Sequence, residues 1–313
     1  GGRRNLELDF FGGEPLMNFD VVKKTVEYAR SVEKEHGKNF RFTLTTNGLL
    51  LNDEIIDYLN REMYNLVLSL DGRKEVNDKL RPTRSGSGSY DIIVPKYQKL
   101  IEKRGDGQYY VRGTFTRHNL DFADDLLHLA DDLGFDQLSV EPVVTADEND
   151  YALRESDLPR IFEEYERLAN IILERKLKGN CFNFFHFMID LEQGPCAIKR
   201  LRGCSCGNEY IAVTPNGDIY PCHQFVGMDE WKMGNVLDGS LDYEKKKYFS
   251  KTHIYYKDEC KNCWARFYCS GGCNANNYAS RGSVLKPHRL SCELEKKRLE
   301  CAIMIKVALA AAE

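Results

Sequence analysis

Leu6-Glu7-Leu8-Asp9-Phe10-Phe11-Gly12-Gly13-Glu14-Pro15 decides the fold, because an apolar-alternating strand over Leu6 to Phe10 runs straight into a glycine turn. Helical periodicity follows at once over Phe19 to Lys34, with Val22, Val26 and Ala29 on one face and Asn18 as the expected cap. The same alternation then recurs. Phe40 to Thr46 is rich in β-formers and stops at Asn47-Gly48. Asn52 caps a helix to about Glu62 that turns Ile55, Ile56 and Leu59 inward, and Leu66 to Leu70 is a buried strand ending at Asp71-Gly72. After a loop holding Arg81-Pro82 and Gly86-Ser87-Gly88 come a helix over Tyr90 to Lys103, a strand over Tyr109 to Thr116, a helix over Phe122 to Leu133 and a strand over Gln137 to Val144. Such repetition predicts an α/β fold, a parallel sheet with helices outside it, open or closed into a barrel.

Chemistry in these folds collects at the carboxyl ends of the strands. The residues there are Gly12-Gly13-Glu14-Pro15, Thr46-Asn47-Gly48, Ser69 with Asp71-Gly72, Thr116 with Arg117, and Glu141-Pro142. Each is also ordinary turn chemistry. Their gathering at one end of successive strands is what singles them out.

The chain has 313 residues, room for about two domains. Its 42% hydrophobic and 29% charged residues describe a folded globular protein. A net charge of −4 argues against nucleic acid as the main partner. No apolar run reaches membrane-spanning length; the nearest, Cys301 to Ala312, is short and interrupted by Lys306. The opening Gly1-Gly2-Arg3-Arg4, without an initiator methionine, reads as the start of a fragment.

All eleven cysteines lie between Cys181 and Cys301. That shift predicts a boundary, with one domain over 1–180 and a cysteine-rich one over 181–313. Tyr151 to Lys178, a charged helix with an apolar inner stripe, closes the first. Within the second, Pro215-Asn216-Gly217 signals a hairpin that carries Cys222 back towards Cys204 and Cys206. The tight run Cys260-x2-Cys263-x5-Cys269-x3-Cys273 suits metal thiolates better than disulfides in a chain able to build a core. A structural zinc site remains open on spacing alone. The surplus of cysteines, with Cys292 beyond the run, and the small Ser270-Gly271-Gly272 segment favour iron–sulfur clusters.

At this point the motifs carry a family likeness. Gly12-Gly13-Glu14-Pro15 after a strand resembles the GGEP motif of radical S-adenosylmethionine (SAM) enzymes. Cys206-x10-Gly217-x4-Cys222, the run from Cys260 to Cys273, and Cys292 resemble the seven-cysteine SPASM pattern of those that modify peptides, with Cys204 an equally good first member. The whole chain is most similar to the thioether-forming maturases of ranthipeptides, precursors with six cysteines in forty-five residues.

The resemblance implies a partial (βα)6 TIM-like radical SAM barrel lacking its first βα unit, followed by a cysteine-rich α+β SPASM domain. It implies that Gly12, Gly13 and Glu14 meet the methionyl amine of SAM, that Ser69 and Asp71 lie near the ribose, and that Thr46 and Asn47 lie beside the sulfonium. One auxiliary [4Fe–4S] cluster would be held by Cys222 and Cys273 with Cys206 or Cys204, and a second by Cys260, Cys263, Cys269 and Cys292. His223 stands where sulfatase maturases carry an aspartate base, and it is a candidate proton acceptor, a donor to cluster sulfur, or a structural histidine. Cys181, Cys196 and Cys301 fall outside the pattern and are expected to be buried free thiols.

The implied enzyme is an oxidoreductase of a cytoplasmic, anaerobic setting. It cleaves SAM, abstracts hydrogen from the backbone of a ribosomally made, cysteine-rich peptide, and joins a cysteine sulfur to that carbon. Flavodoxin or ferredoxin supplies electrons. The CxxxCxxC motif of the SAM-binding cluster is not in this sequence, so the chain alone is expected to be inactive. The alternatives are sulfatase or quinone-cofactor maturation, and a non-catalytic iron–sulfur or zinc scaffold that binds a peptide.

Overall fold

A computed structural model describes residues 2–146, 148–191 and 196–312; Gly1, the outermost residue of the expected first domain, lies outside them. The first half alternates β1 (Asn5–Phe10), α1 (Phe19–His36), β2 (Asn39–Thr46), α2 (Asp53–Glu62), β3 (Asn65–Ser69), α3 (Lys74–Leu80), α4 (Tyr90–Arg104), β4 (Gln108–Phe115), α5 (Phe122–Leu127) and β5 (Gln137–Pro142). With β6 (Asn183–Phe184) they form one sheet in sequence order, every neighbouring pair parallel. This is the α/β architecture with a parallel sheet that the alternation predicts.

The period of two sorts the sheet into an apolar and a polar face. Phe42 and Leu44, Leu66 and Leu68, Val111 and Phe115, and Leu138 and Val140 are buried on one side. The inner stripes of the helices, such as Ile55, Ile56 and Leu59 of α2 and Ile93, Tyr97 and Leu100 of α4, are buried too. The other side carries polar rows in register: Asp9 opposite Thr43 opposite Asn65, then Ser69 opposite Arg112 opposite Ser139, then Thr114 opposite Glu141.

Several elements depart from expectation for identifiable reasons. Asn18 makes no side-chain cap; the chain turns earlier, in a 3-10 turn over Pro15–Asn18 whose first amide is capped by Glu14. Asn52 does cap α2, accepting from the Ile55 amide at 2.9 Å. The helix expected over Phe122 to Leu133 is α-helical only to Leu127 and widens to a π-turn over His128–Asp132. The charged helix expected from Tyr151 is shorter, with α6 (Leu158–Leu177) entered through a 3-10 turn over Glu155–Asp157. Pro159 sits at its second residue, where no helical amide bond is lost.

Packing divides the chain into one unit of 1–143 with 178–185 and another of 144–177 with 186–313. The second unit thus takes α6, whereas the cysteine distribution suggests a boundary after 180. The reason lies in α11 (Arg289–Ala310), whose buried Arg298 donates to the Tyr165 hydroxyl at 2.9 Å and whose Lys297 pairs with Glu166. Between them lie α7 (Ala197–Arg202), a small antiparallel sheet of β7 (Ala212–Val213), β8 (Asp218–Tyr220), β9 (Gly234–Asn235) and β10 (Ser240–Leu241), then α8 (Tyr243–Ser250), α9 (Arg266–Cys269) and α10 (Asn274–Arg281). The hairpin expected around Pro215-Asn216-Gly217 is β7–β8. No described helix is long and apolar enough to cross a membrane.

Candidate functional sites

In the first unit the turn after β1 is tied to the end of β2 by one carboxylate. Gly12 has φ +142°, a conformation that a side chain rarely adopts, and this lets the chain reverse directly at the strand end. Glu14 Oε1 accepts from the Leu16 amide and the Thr46 hydroxyl, each at 3.0 Å. Its Oε2 accepts from the Asn47 amide at 2.7 Å. A carboxylate offers about four lone-pair directions, so three donors leave room for one cationic ligand. The Thr46 hydroxyl in turn accepts from the Gly48 amide, and Asn47 Oδ1 accepts from the Leu49 amide.

Of the residues expected here, Glu14, Thr46 and Asn47 therefore meet directly. Ser69 joins them through Tyr97, whose hydroxyl lies 3.2 Å from the Thr46 carbonyl and 3.1 Å from the Ser69 carbonyl. Burial pushes the Tyr97 phenol far above its ordinary range, so it stays a donor. Asp71 is differently engaged. Its carboxylate receives both Arg81 Nε at 2.7 Å and Arg81 Nη2 at 2.9 Å, and the Thr114 amide at 2.8 Å. The residue is 1% exposed, and its acceptors face its own chain. Tyr97 and Arg81 are the participants that sequence reading missed. Tyr97 looks like one more apolar helix position, and Arg81 like a loop residue before proline.

In the second unit the cysteines gather into two sets. Cys206 and Cys222 share a hydrogen bond, and Cys204 and Cys273 lie within electrostatic reach of Cys206. The bond from Cys206 draws Cys222 down to about 7 against the effect of burial, helped by the amides of Gln224 and Phe225. The same bond pushes Cys206 up. Cys204 is exposed as a residue, yet its sulfur is desolvated and pushed up. Cys206 and Cys222 belong to an apolar cluster with Tyr220, Phe225 and Phe249, on which Trp231 packs 5.4 Å from the Phe249 ring.

Cys260, Cys263, Cys269 and Cys292 form the second set, lining a cavity of about 700 Å³ with Trp264 and Lys296. Burial pushes Cys260 and Cys292 to about 11 and Cys269 to about 12, and neighbouring thiols of the set add to each shift. The nearby amides of Gly271 and Gly272 pull the Cys269 thiol back down against burial, and the Gly272 amide donates to the Cys269 carbonyl at 3.3 Å. Ser270, Gly271 and Gly272 all lie in the left-handed region, φ +59°, +88° and +72°, so the chain turns sharply straight after Cys269. At Gly271 a Cβ would also stand 3.1 Å from Lys257 Cδ.

Among the described residues no three Cys, His, Asp or Glu side chains converge as ligands of one metal ion. A single zinc holds its sulfurs about 2.3 Å from one point, whereas a cubane with one iron per cysteine spaces its thiolates more widely. Two four-thiol sets, each with thiols pushed up by burial, fit such clusters. One feature between the sets escaped sequence reading. Lys257 is fully buried, and its Nζ donates to the Gly271 carbonyl at 2.7 Å and to Asn274 Oδ1 at 2.9 Å. Burial pushes its pKa down, and the thiols of Cys260, Cys269, Cys273 and Cys204 pull it back up. In sequence, Lys257-Asp258-Glu259 reads as a solvated surface turn.

His223 is exposed and opens the 3-10 turn after Cys222, with Nδ1 3.2 Å from the Tyr210 hydroxyl. The three cysteines outside the pattern are not uniformly buried as expected. Cys301 is buried on the inner face of α11, Cys181 is half-buried with its thiol donating to the Phe182 carbonyl, and Cys196 is exposed at the start of α7.

Residues 204–264 match the SPASM iron–sulfur cluster-binding domain. The cysteine-type anaerobic sulfatase-maturating enzyme of Clostridium perfringens is 25% identical over 296 residues, covering 88% of this chain and 76% of that one. The solved structure of native anSMEcpe with bound AdoMet superposes with a TM-score of 0.81 at 21% identity, covering 99% of this chain and 86% of that one. Streptococcus suis SuiB bound to its precursor peptide SuiA gives a TM-score of 0.57 at 18% identity, covering 90% and 63%. The chain thus joins a radical SAM-type fold to a SPASM domain.

Proposed function

We propose that this SPASM-bearing chain is the core of a radical SAM peptide maturase that installs thioether crosslinks in a cysteine-rich, ribosomally made peptide. The observation that carries the reading is the gathering of eight cysteines into two four-thiol sets, in a chain whose parallel sheet ends on the Glu14 turn. When bound, SAM and the clusters supply the radical and redox chemistry. The chain's own residues bind and orient. Glu14 receives the SAM ammonium on its remaining lone pair, Thr46 and Asn47 hold that carboxylate in place, and the apolar cluster of Tyr220, Phe225 and Phe249 shields Cys206 and Cys222 from water. His223, exposed beside Tyr210, is the residue proposed to take a proton from the substrate.

Sulfatase-type maturation is the second reading, favoured by the likeness to sulfatase-maturating enzymes. One assay separates the two. Because no cysteine precedes Cys181, it uses the chain preceded by a CxxxCxxC-bearing segment, loaded anaerobically, with SAM and dithionite. A cysteine-rich peptide that loses two hydrogens and gains a sulfur–carbon bond supports the first reading. Conversion of a cysteine to an aldehyde with loss of its sulfur, and no crosslink, replaces it with the second.

Glu14→Gln tests the SAM end of the reading. It removes the charge and turns an amide donor towards the Leu16, Thr46 and Asn47 donors. SAM affinity should fall about tenfold or more, as expected when a charge-assisted bond worth roughly 1.5–3 kcal/mol is lost. Iron content should be unchanged. Equilibrium dialysis against labelled SAM measures the first, and equal affinity would reduce the motif to a turn.

A further inference from the structure

We infer that Lys257 is the shared counter-charge of the two cysteine sets and holds up the reduction potentials of both clusters together. The inference rests on the reading that the sets hold iron–sulfur clusters. Lys257 is fully buried, and no carboxylate forms an ion pair with it among the described residues. Its two hydrogen-bond acceptors, the Gly271 carbonyl and Asn274 Oδ1, are neutral. The anionic groups it can answer are sulfurs of both sets: Cys260 and Cys269 of one, Cys204 and Cys273 of the other.

A buried ammonium with neutral acceptors is costly unless an opposite charge compensates it. A cubane held by four thiolates supplies that charge, and each added electron increases it. Charge and hydrogen bonding around the sulfurs are what the protein uses to set cluster potential.

The placement is built, not incidental. Gly271 adopts φ +88°, and its lack of a Cβ leaves room for the Lys257 stem, which a methyl group would meet at 3.1 Å. Asn274 is itself fixed, donating to the Thr252 hydroxyl at 3.0 Å. The same two residues therefore aim the ammonium, and beside them in the chain stand Cys269, two residues before Gly271, and Cys273, directly before Asn274, one from each set. Lys296 offers an internal contrast. It faces Cys263 and Cys292 of one set alone and is already paired with Glu293 at 2.7 Å.

The experiment is an EPR-monitored redox titration of the whole chain, loaded anaerobically with iron and sulfide. The unaltered chain is assayed first for iron; if it takes up none, the cluster reading fails, and the inference falls with it. With clusters loaded, Lys257→Met should make reduction of both about tenfold less favourable, or about 59 mV for each one-electron couple. Lys257→Arg should keep both within threefold of the original, and Lys296→Met should affect only the Cys260 to Cys292 set. If Lys257→Met loads no iron while Lys257→Arg does, the need for the charge is upheld. Loaded Lys257→Met in which one or neither cluster moves overturns the inference. So does failure of both variants to load, which would mean that the stem's shape, not its charge, is what the site requires.

Discussion

Replacing Cys263 by alanine is expected to remove roughly one cluster's iron, about four atoms, from the anaerobically loaded chain and to leave the other cluster in place. Cys263 lies within electrostatic reach of Cys260 and Cys292 and lines the same cavity as Cys269. Cys204, Cys206, Cys222 and Cys273 interact among themselves instead. Because cluster binding is also folding energy, the second unit should lose thermal stability in the same variant. Iron and sulfide assays with a melting curve check both. Unchanged iron would remove Cys263 from the ligand set.

The second large effect is expected at Arg81. Its guanidinium holds both oxygens of Asp71, a carboxylate whose side chain is only 2% exposed. Arg81→Met leaves that charge buried with the Thr114 amide as its one remaining hydrogen-bond donor among the described residues, and breaking a buried pair from one side costs about 3–5 kcal/mol. Urea unfolding of the first unit should show this loss. Asp71→Asn combined with Arg81→Met should recover part of it, since no unpaired charge remains. A loss below about 1 kcal/mol, the range of exposed pairs, would mean that the pair is not buried in solution.

How far the fold was legible depended on periodicity. β1 to β5 carry long enough alternations to announce themselves, and Asn52 marks the start of α2 by its side-chain cap. β6, β9 and β10 are two residues each, too short for a period to exist. The 22-residue α11 went unread because its buried stripe includes Arg298 and its cap position, His288, makes no side-chain cap.

The site was legible where a motif constrains chemistry and illegible where tertiary neighbours decide it. The thiols gather in the groups that the resemblance implies and not as spacing alone would group them: Cys273 lies with Cys204, Cys206 and Cys222, and Cys292 with Cys260 and Cys263. Glu14, Thr46 and Asn47 gather as strand-end logic requires. Asp71 shares the same strand-end position but is held by Arg81, ten residues on, which no local pattern foretells. Lys257 is hidden for the same reason: its acidic neighbours in sequence are not its neighbours in space.

The most direct test is the iron and acid-labile sulfide content of the whole chain after anaerobic reconstitution, with its absorption spectrum. Two [4Fe–4S] clusters predict about eight irons and about eight sulfides per chain, with broad thiolate-to-iron absorption. Zinc bound with no sulfide, or iron for one cluster only, would contradict it.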